Sequence, residues 1–252
     1  MGTWILAPGR VSYLDTTQSG KHANNVGTAA GAIAGVNGIG TGSGTGNDQQ
    51  KLNYYTPRIA GFQVGASFIP NYGTEDANGF GDRNAVRTNA YSLAINHTNT
   101  LGGVLVNGYA GYTVYPKIKG AASNTAGGSD ITDIGVGGQL GGGGFLVGLG
   151  YRKMDAKNAL ENGFAWGGGI NYTTGPMILH ASYIKSKVDG SNLKASGDDT
   201  MEHWILSANY DIGPGVALIG SVFWAEFKDE TSRAAADNNK GTGALAGISL
   251  MF

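Results

Sequence analysis

The chain reads as all-β, an antiparallel barrel that crosses a membrane with strands, and three observations predict this. Side chains alternate in character with a period of two along segment after segment, the pattern of a strand with two different faces. The connections between these segments alternate between tight turns and long polar stretches. Finally, 45 glycines in 252 residues interrupt almost every window that could form an amphipathic helix.

From Gln49 onward about eleven alternating segments follow one another: 49–56, 61–69, 88–98, 103–115, 131–140, 144–152, 163–172, 176–185, 202–210, 215–227 and 241–252. The first two flank the tight turn 57–60, and Phe62, Val64, Ala66 and Phe68 oppose Gln63, Gly65 and Ser67. The third carries Tyr91, Leu93 and Ile95 against Ser92, Ala94 and Asn96, and turns into the fourth at 99–102. The fifth and sixth meet at the glycine turn 141–143, and the seventh and eighth at 173–175. In the seventh, Phe164, Trp166, Ile170 and Tyr172 oppose Ala165, Gly167, Gly169 and Asn171. The ninth sets Trp204, Leu206, Ala208 and Tyr210 against His203, Ser207 and Asn209, and reaches the tenth through 211–214.

The last segment places Thr242, Ala244, Ala246, Ile248, Leu250 and Phe252 at every second position and ends on an aromatic residue. Between the hairpins lie the longer polar stretches 70–87, 116–130, 153–162, 186–201 and 228–240. Short turns at one end and long loops at the other are the asymmetry of outer-membrane barrels, with the turns periplasmic. Tyr151, Tyr172, Tyr183, Tyr210, Trp166, Trp204 and Trp224 fall near segment ends, where aromatic girdles meet the lipid interface. A propeller is a poorer fit, because each repeated unit supplies two strands where a blade needs four.

Composition narrows the function. Charged residues make up 14% of the chain, the net charge is -1 and there is no cysteine. Near-neutrality argues against nucleic acid as a partner, and without cysteine there is neither a disulfide framework nor a thiolate metal site. No run of about 18 apolar residues exists, which removes the helical way of crossing a membrane but leaves strands of about 9 to 11 residues free to do so. An alternating barrel has overall hydropathy near neutral, so a mean hydropathy of -0.13 carries no information about membranes. The start, Met1-Gly-Thr-Trp-Ile-Leu-Ala-Pro, has no basic region and too short an apolar run for a secretory signal.

The stretch Lys51-Leu-Asn-Tyr-Tyr-Thr-Pro-Arg-Ile-Ala-Gly-Phe-Gln-Val-Gly-Ala-Ser-Phe-Ile-Pro70 resembles a hairpin of Gram-negative general diffusion porins, especially the alphaproteobacterial type. Ile212-Gly-Pro-Gly215 and the terminal Phe252 resemble the same family, and the resemblance covers roughly 49–252. It implies an antiparallel transmembrane β-barrel of the 16-stranded porin type, of which about 11 to 12 strands are here. The segments above would be the last eleven. Residues 49–252 would form the barrel strands as a single domain, and 1–48 the end of a strand plus the loop that folds inward and narrows the pore. The first four strands and most of a fifth would then lie outside the chain. An open curved sheet is expected, or a strained closure of twelve strands if residues 2–6 add one, and on its own such a chain would conduct poorly.

The resemblance also implies a bacterial outer-membrane location and passive diffusion of small hydrophilic solutes and ions, with no catalysis and no cofactor. The implied partners are the lipid bilayer with its lipopolysaccharide, the outer-membrane assembly machinery and two further copies in a homotrimer. Ile248, Leu250 and Phe252 resemble the C-terminal assembly signal.

Charged groups facing a lumen set ion selectivity. Parity along the segments makes Lys51, Asp133, Arg152 and His180 candidate wall residues, and Asp15 and Asp48 belong to the implied constriction loop. Opposed acids and bases there would set up a transverse field, with structural ion pairing as the alternative. His22, His97, His180 and His203 lack metal-ligand spacing. The glycine-rich 38–46 is not followed by the Lys-Ser or Lys-Thr that a phosphate loop needs.

Two other functions are weighed against the channel. An outer-membrane hydrolase would draw on His180 and Ser182, which share one face of a strand. Side chains two apart are expected roughly 7 Å from each other, too far for a nucleophile and its base. A structural or adhesive barrel would have its lumen plugged by side chains.

Overall fold

Each alternating segment becomes a strand. In the computed structural model, residues 52–72, 87–121, 128–156, 163–189, 198–228 and 239–250 are described. The strands are β1 (Leu52–Tyr55), β2 (Phe62–Tyr72), β3 (Arg87–Leu101), β4 (Val104–Tyr115), β5 (Ile131–Gly142), β6 (Phe145–Ala156), β7 (Gly163–Thr174), β8 (Met177–Asp189), β9 (Asp198–Gly213), β10 (Val216–Lys228) and β11 (Asn239–Leu250). They form one antiparallel meander in chain order. Residues 1–51, including all of the expected constriction loop and the expected twelfth strand, lie outside the described residues.

Several strands run further than the alternation suggests. β9 begins at Asp198 rather than Glu202, and β8 continues to Asp189. The ladder closes backbone hydrogen bonds whatever the side chains are, whereas alternation is visible only where one face meets lipid. The turns tighten for the same reason. Gly102 and Gly103 alone connect β3 to β4, and Gly143 and Gly144 alone connect β5 to β6, all four with positive φ. Such two-residue turns match the twist of the flanking strands, and they need backbone that glycine adopts without strain.

β1 and β11 are the two edges of the sheet. Both run from the long-loop side to the short-turn side, so they cannot pair antiparallel with each other. Closing this sheet with antiparallel pairs needs an odd number of further strands.

The faces are inverted relative to a water-soluble sheet. Leu93, Ile95, Leu149, Ile170, Leu206, Leu218 and Ile248 are exposed, while Ser92, Asn96, Thr113, Gln139, Ser182, Ser207 and Ser221 are buried on the other side. A soluble sandwich would bury the first set and expose the second. The exposed face carries aromatic residues at two heights. Phe145 and Tyr151 on β6, Trp166 and Tyr172 on β7, and Trp204 and Tyr210 on β9 are each six residues apart, about 20 Å along the strand. At the loop-side height, Tyr183 lies between Trp166 (5.2 Å, edge-on) and Trp204 (4.4 Å, tilted), while at the turn side Phe145 and Tyr172 lie 4.5 Å apart. These are two girdles with an apolar band between them.

Candidate functional site: the polar inner wall

The inner face gathers the polar residues that the alternation assigns to it. Asp133 on β5 and Arg152 on β6 both lie there, their side chains only 8% and 3% exposed. Arg152 Nε donates to Asp133 Oδ1 at 2.8 Å and Nη2 donates to Oδ2 at 2.5 Å, a bidentate pair. In the ladder Gly135, not Asp133, stands opposite Arg152, so the two meet on a diagonal. They compensate each other within one patch of wall and do not face each other across a lumen. Structural pairing, rather than a transverse field, describes this acid and base.

His180 on β8 is held on both sides. Its Nδ1 lies 2.5 Å from Asn171 Oδ1 of β7, and its Nε2 lies 3.0 Å from Ser182 Oγ. With the amide oxygen as acceptor, Nδ1 carries the proton and Nε2 accepts from the Ser182 hydroxyl. The sequence-based spacing of 7 Å between His180 and Ser182 is therefore an overestimate: Cα spacing along a strand does not restrain a long imidazole leaning toward a hydroxyl two residues on.

The order Ser, His, Asn is that of a nucleophile, its base and an orienting group. Yet both His180 and Ser182 are buried, and β8 is paired on both edges, with β7 and with β9. Its backbone N–H groups are taken up by the ladder, so the strand's own amides offer Ser182 no oxyanion hole. The array is a hydrogen-bonded brace across two strands.

Other wall residues were not singled out by sequence reasoning. Asn107 Oδ1, Gln139 Oε1, His203 Nε2 and Ser207 Oγ are buried without a hydrogen-bond partner among the described residues, and Asn107 stands directly opposite Gln139. Such atoms are where ordered water completes a polar wall. At the short-turn rim, Arg58 reaches inward to Asn96 Oδ1 (2.7 Å) and Gln63 Oε1 (3.2 Å). The one signal for it was its place in a tight turn beside an inward-facing glutamine.

Tyr109 lies flat against the wall where Gly137 opposes it. A Cβ at Gly137 would stand 2.6 Å from its Cε1 and 3.0 Å from the Leu149 carbonyl oxygen. The glycine leaves room for the ring to lie along the sheet.

Of the remaining sequence candidates, Lys51, Asp15, Asp48 and Phe252 lie outside the described residues. Ile248 and Leu250 project outward from β11, opposite Leu218 and Val216 of β10. Among the described residues no group of three or more His, Asp or Glu is placed to hold a metal.

A family model described as Gram-negative porin matches residues 9–230. Among solved structures, the anion-selective porin from Comamonas acidovorans superposes with a TM-score of 0.57 at 14% identity, covering 81% of this chain and 59% of that one. OmpF of Salmonella typhi, solved in complex with daunomycin, gives 0.51 at 11% identity, covering 79% of this chain and 61% of that one. OmpT of Vibrio cholerae, an outer-membrane protein, gives 0.48 at 16% identity, covering 80% and 65%. The chain thus spans less than two thirds of the length of each. No curated protein matches it in sequence.

Proposed function

The chain belongs to the Gram-negative porin family, proteins of the bacterial outer membrane, and we propose that the eleven strands among its described residues wall a water-filled channel for passive diffusion of small hydrophilic solutes and ions. The observation that carries this reading is the inversion of the faces. An exposed band of Leu, Ile and Val between two aromatic girdles suits lipid, and the buried face is lined by Ser, Asn, Thr, Gln and His. Such a face is stable only where water or other polar groups meet it.

In this reading Asp133, Arg152 and His180 belong to the pore wall, with Lys51 beside them and Asp15 and Asp48 on an inward loop within 1–48. The wall acts by polarity and shape, without catalysis or a cofactor. Ile248, Leu250 and Phe252 present the strand that the outer-membrane assembly machinery reads. Lipopolysaccharide and lipid cover the outer face, and three copies associate as a homotrimer.

Planar-bilayer recording from the closed barrel that contains these strands tests the proposal. Stepwise, ohmic currents are expected, and a barrel that inserts without conducting overturns it.

A further inference from the structure

At the loop end of β3 the strand continues past the last residue of β4 that pairs with it. The last pair joins Tyr91 to Val114, one residue before β4 ends at Tyr115, and β3 extends four residues further to Arg87. In this extension Asn89 adopts φ +60°, a left-handed backbone that asparagine tolerates better than most residues. Beneath it Ile69, Ala90 and Tyr115 form a small buried cluster, packed against Ile131 of β5.

Arg87 turns its side chain into the gap and is itself buried. Its Nη1 donates toward three backbone carbonyls: Tyr115 at 3.2 Å, Pro116 at 2.9 Å and Ser129 at 2.8 Å. Tyr115 and Pro116 lie at the start of the β4–β5 connection and Ser129 at its end. The neck of the connection is tied a second time where the Lys117 backbone N–H donates to Asp130 Oδ1 at 2.8 Å. Carbonyls at a strand end have no ladder partner, and a permanently charged planar donor group is well suited to gather several of them.

We propose that Arg87 is a latch that fixes both feet of the β4–β5 connection to the rim of the sheet, so that the channel mouth there keeps a constant shape. The role of the mouth rests on the channel reading above; the latch itself does not. Without the guanidinium, three convergent carbonyls would lose a buried charged donor, and the feet of the connection would separate.

Hydrogen exchange on the detergent-refolded protein, followed by mass spectrometry, compares wild type with Arg87→Ala and Arg87→Lys. In Arg87→Ala, exchange in 116–121 and 128–130 is expected to accelerate at least tenfold, with β7 to β10 unchanged. Arg87→Lys should lie between, because an ammonium lacks the fork, and millimolar guanidinium ion should slow exchange again in Arg87→Ala alone. Unchanged exchange at both feet in a folded variant overturns the latch. If Arg87→Ala does not refold, Arg87→Lys decides by the same criterion. Single-channel noise, recorded on the closed barrel that contains these strands, is the separate test of the mouth: a conducting Arg87→Ala barrel as quiet as wild type overturns that half, and a silent wild-type closed barrel refutes the channel instead.

Discussion

Breaking the Asp133–Arg152 pair should make the wall selective, with a sign set by which partner is removed. In the wild type the two charges lie in one bidentate contact at 2.8 and 2.5 Å and cancel for a passing ion. Asp133→Asn removes the negative charge from this contact, and Arg152→Gln removes the positive one. One bare charge about 5 Å from an ion in water is worth about 0.8 kcal/mol, roughly a fourfold change in local ion population. In a tenfold KCl gradient, where full selectivity corresponds to about 59 mV per unit charge, that is a reversal-potential shift on the order of 20 mV. Asp133→Asn should shift toward anions, Arg152→Gln toward cations, and the double variant should return to the wild-type value. The singles should also lose stability, about 3 to 5 kcal/mol for removing one partner of a buried pair, and the double less. Shifts of the same sign in both singles, or none in either, would refute the placement of this pair on the conducting wall.

Gly137→Val should lower single-channel conductance, because its Cβ would push the Tyr109 ring off the wall and into the lumen; adding Tyr109→Ala should restore it, and an unchanged conductance in the single variant argues that the ring does not border the path. Leu206→Lys, on the lipid face, should destabilise the refolded barrel by about 2 to 4 kcal/mol in denaturant titration, whereas Ser221→Thr on the inner face should be nearly neutral; equal losses would contradict the face assignment. Leu250→Asp should reduce assembly into the outer membrane in cells far more than it slows refolding into detergent, and a matched loss in both would remove the assembly role from this strand.

Much of the fold was readable from local pattern. Phe62 to Phe68, Tyr91 to Ile95 and Trp204 to Tyr210 alternate, and each belongs to the strand and face that the alternation assigns to it. The strand ends were less legible, since the outer parts of β8 and β9 are polar on both faces and look like loop. Asp133, Arg152 and His180 were legible as residents of one face by parity alone. Their partners were not: Asn171 sits nine residues before His180, and only the β7–β8 register makes them opposite. Arg87 stands at the edge of a polar stretch, and nothing in its neighbourhood announces three carbonyls from the two ends of a fifteen-residue connection.

By itself the sequence determined what depends on a period of two along one strand: the strands among the described residues, which connections are short, and which side chains share the exposed apolar face. The tertiary structure decided what depends on two strands at once. The Asp133–Arg152 diagonal, the Asn171–His180–Ser182 brace, the Tyr109 ring over Gly137 and the grip of Arg87 all follow from register and from where one strand outruns its neighbour. Alternation is a property of one strand, whereas a contact needs the position of two.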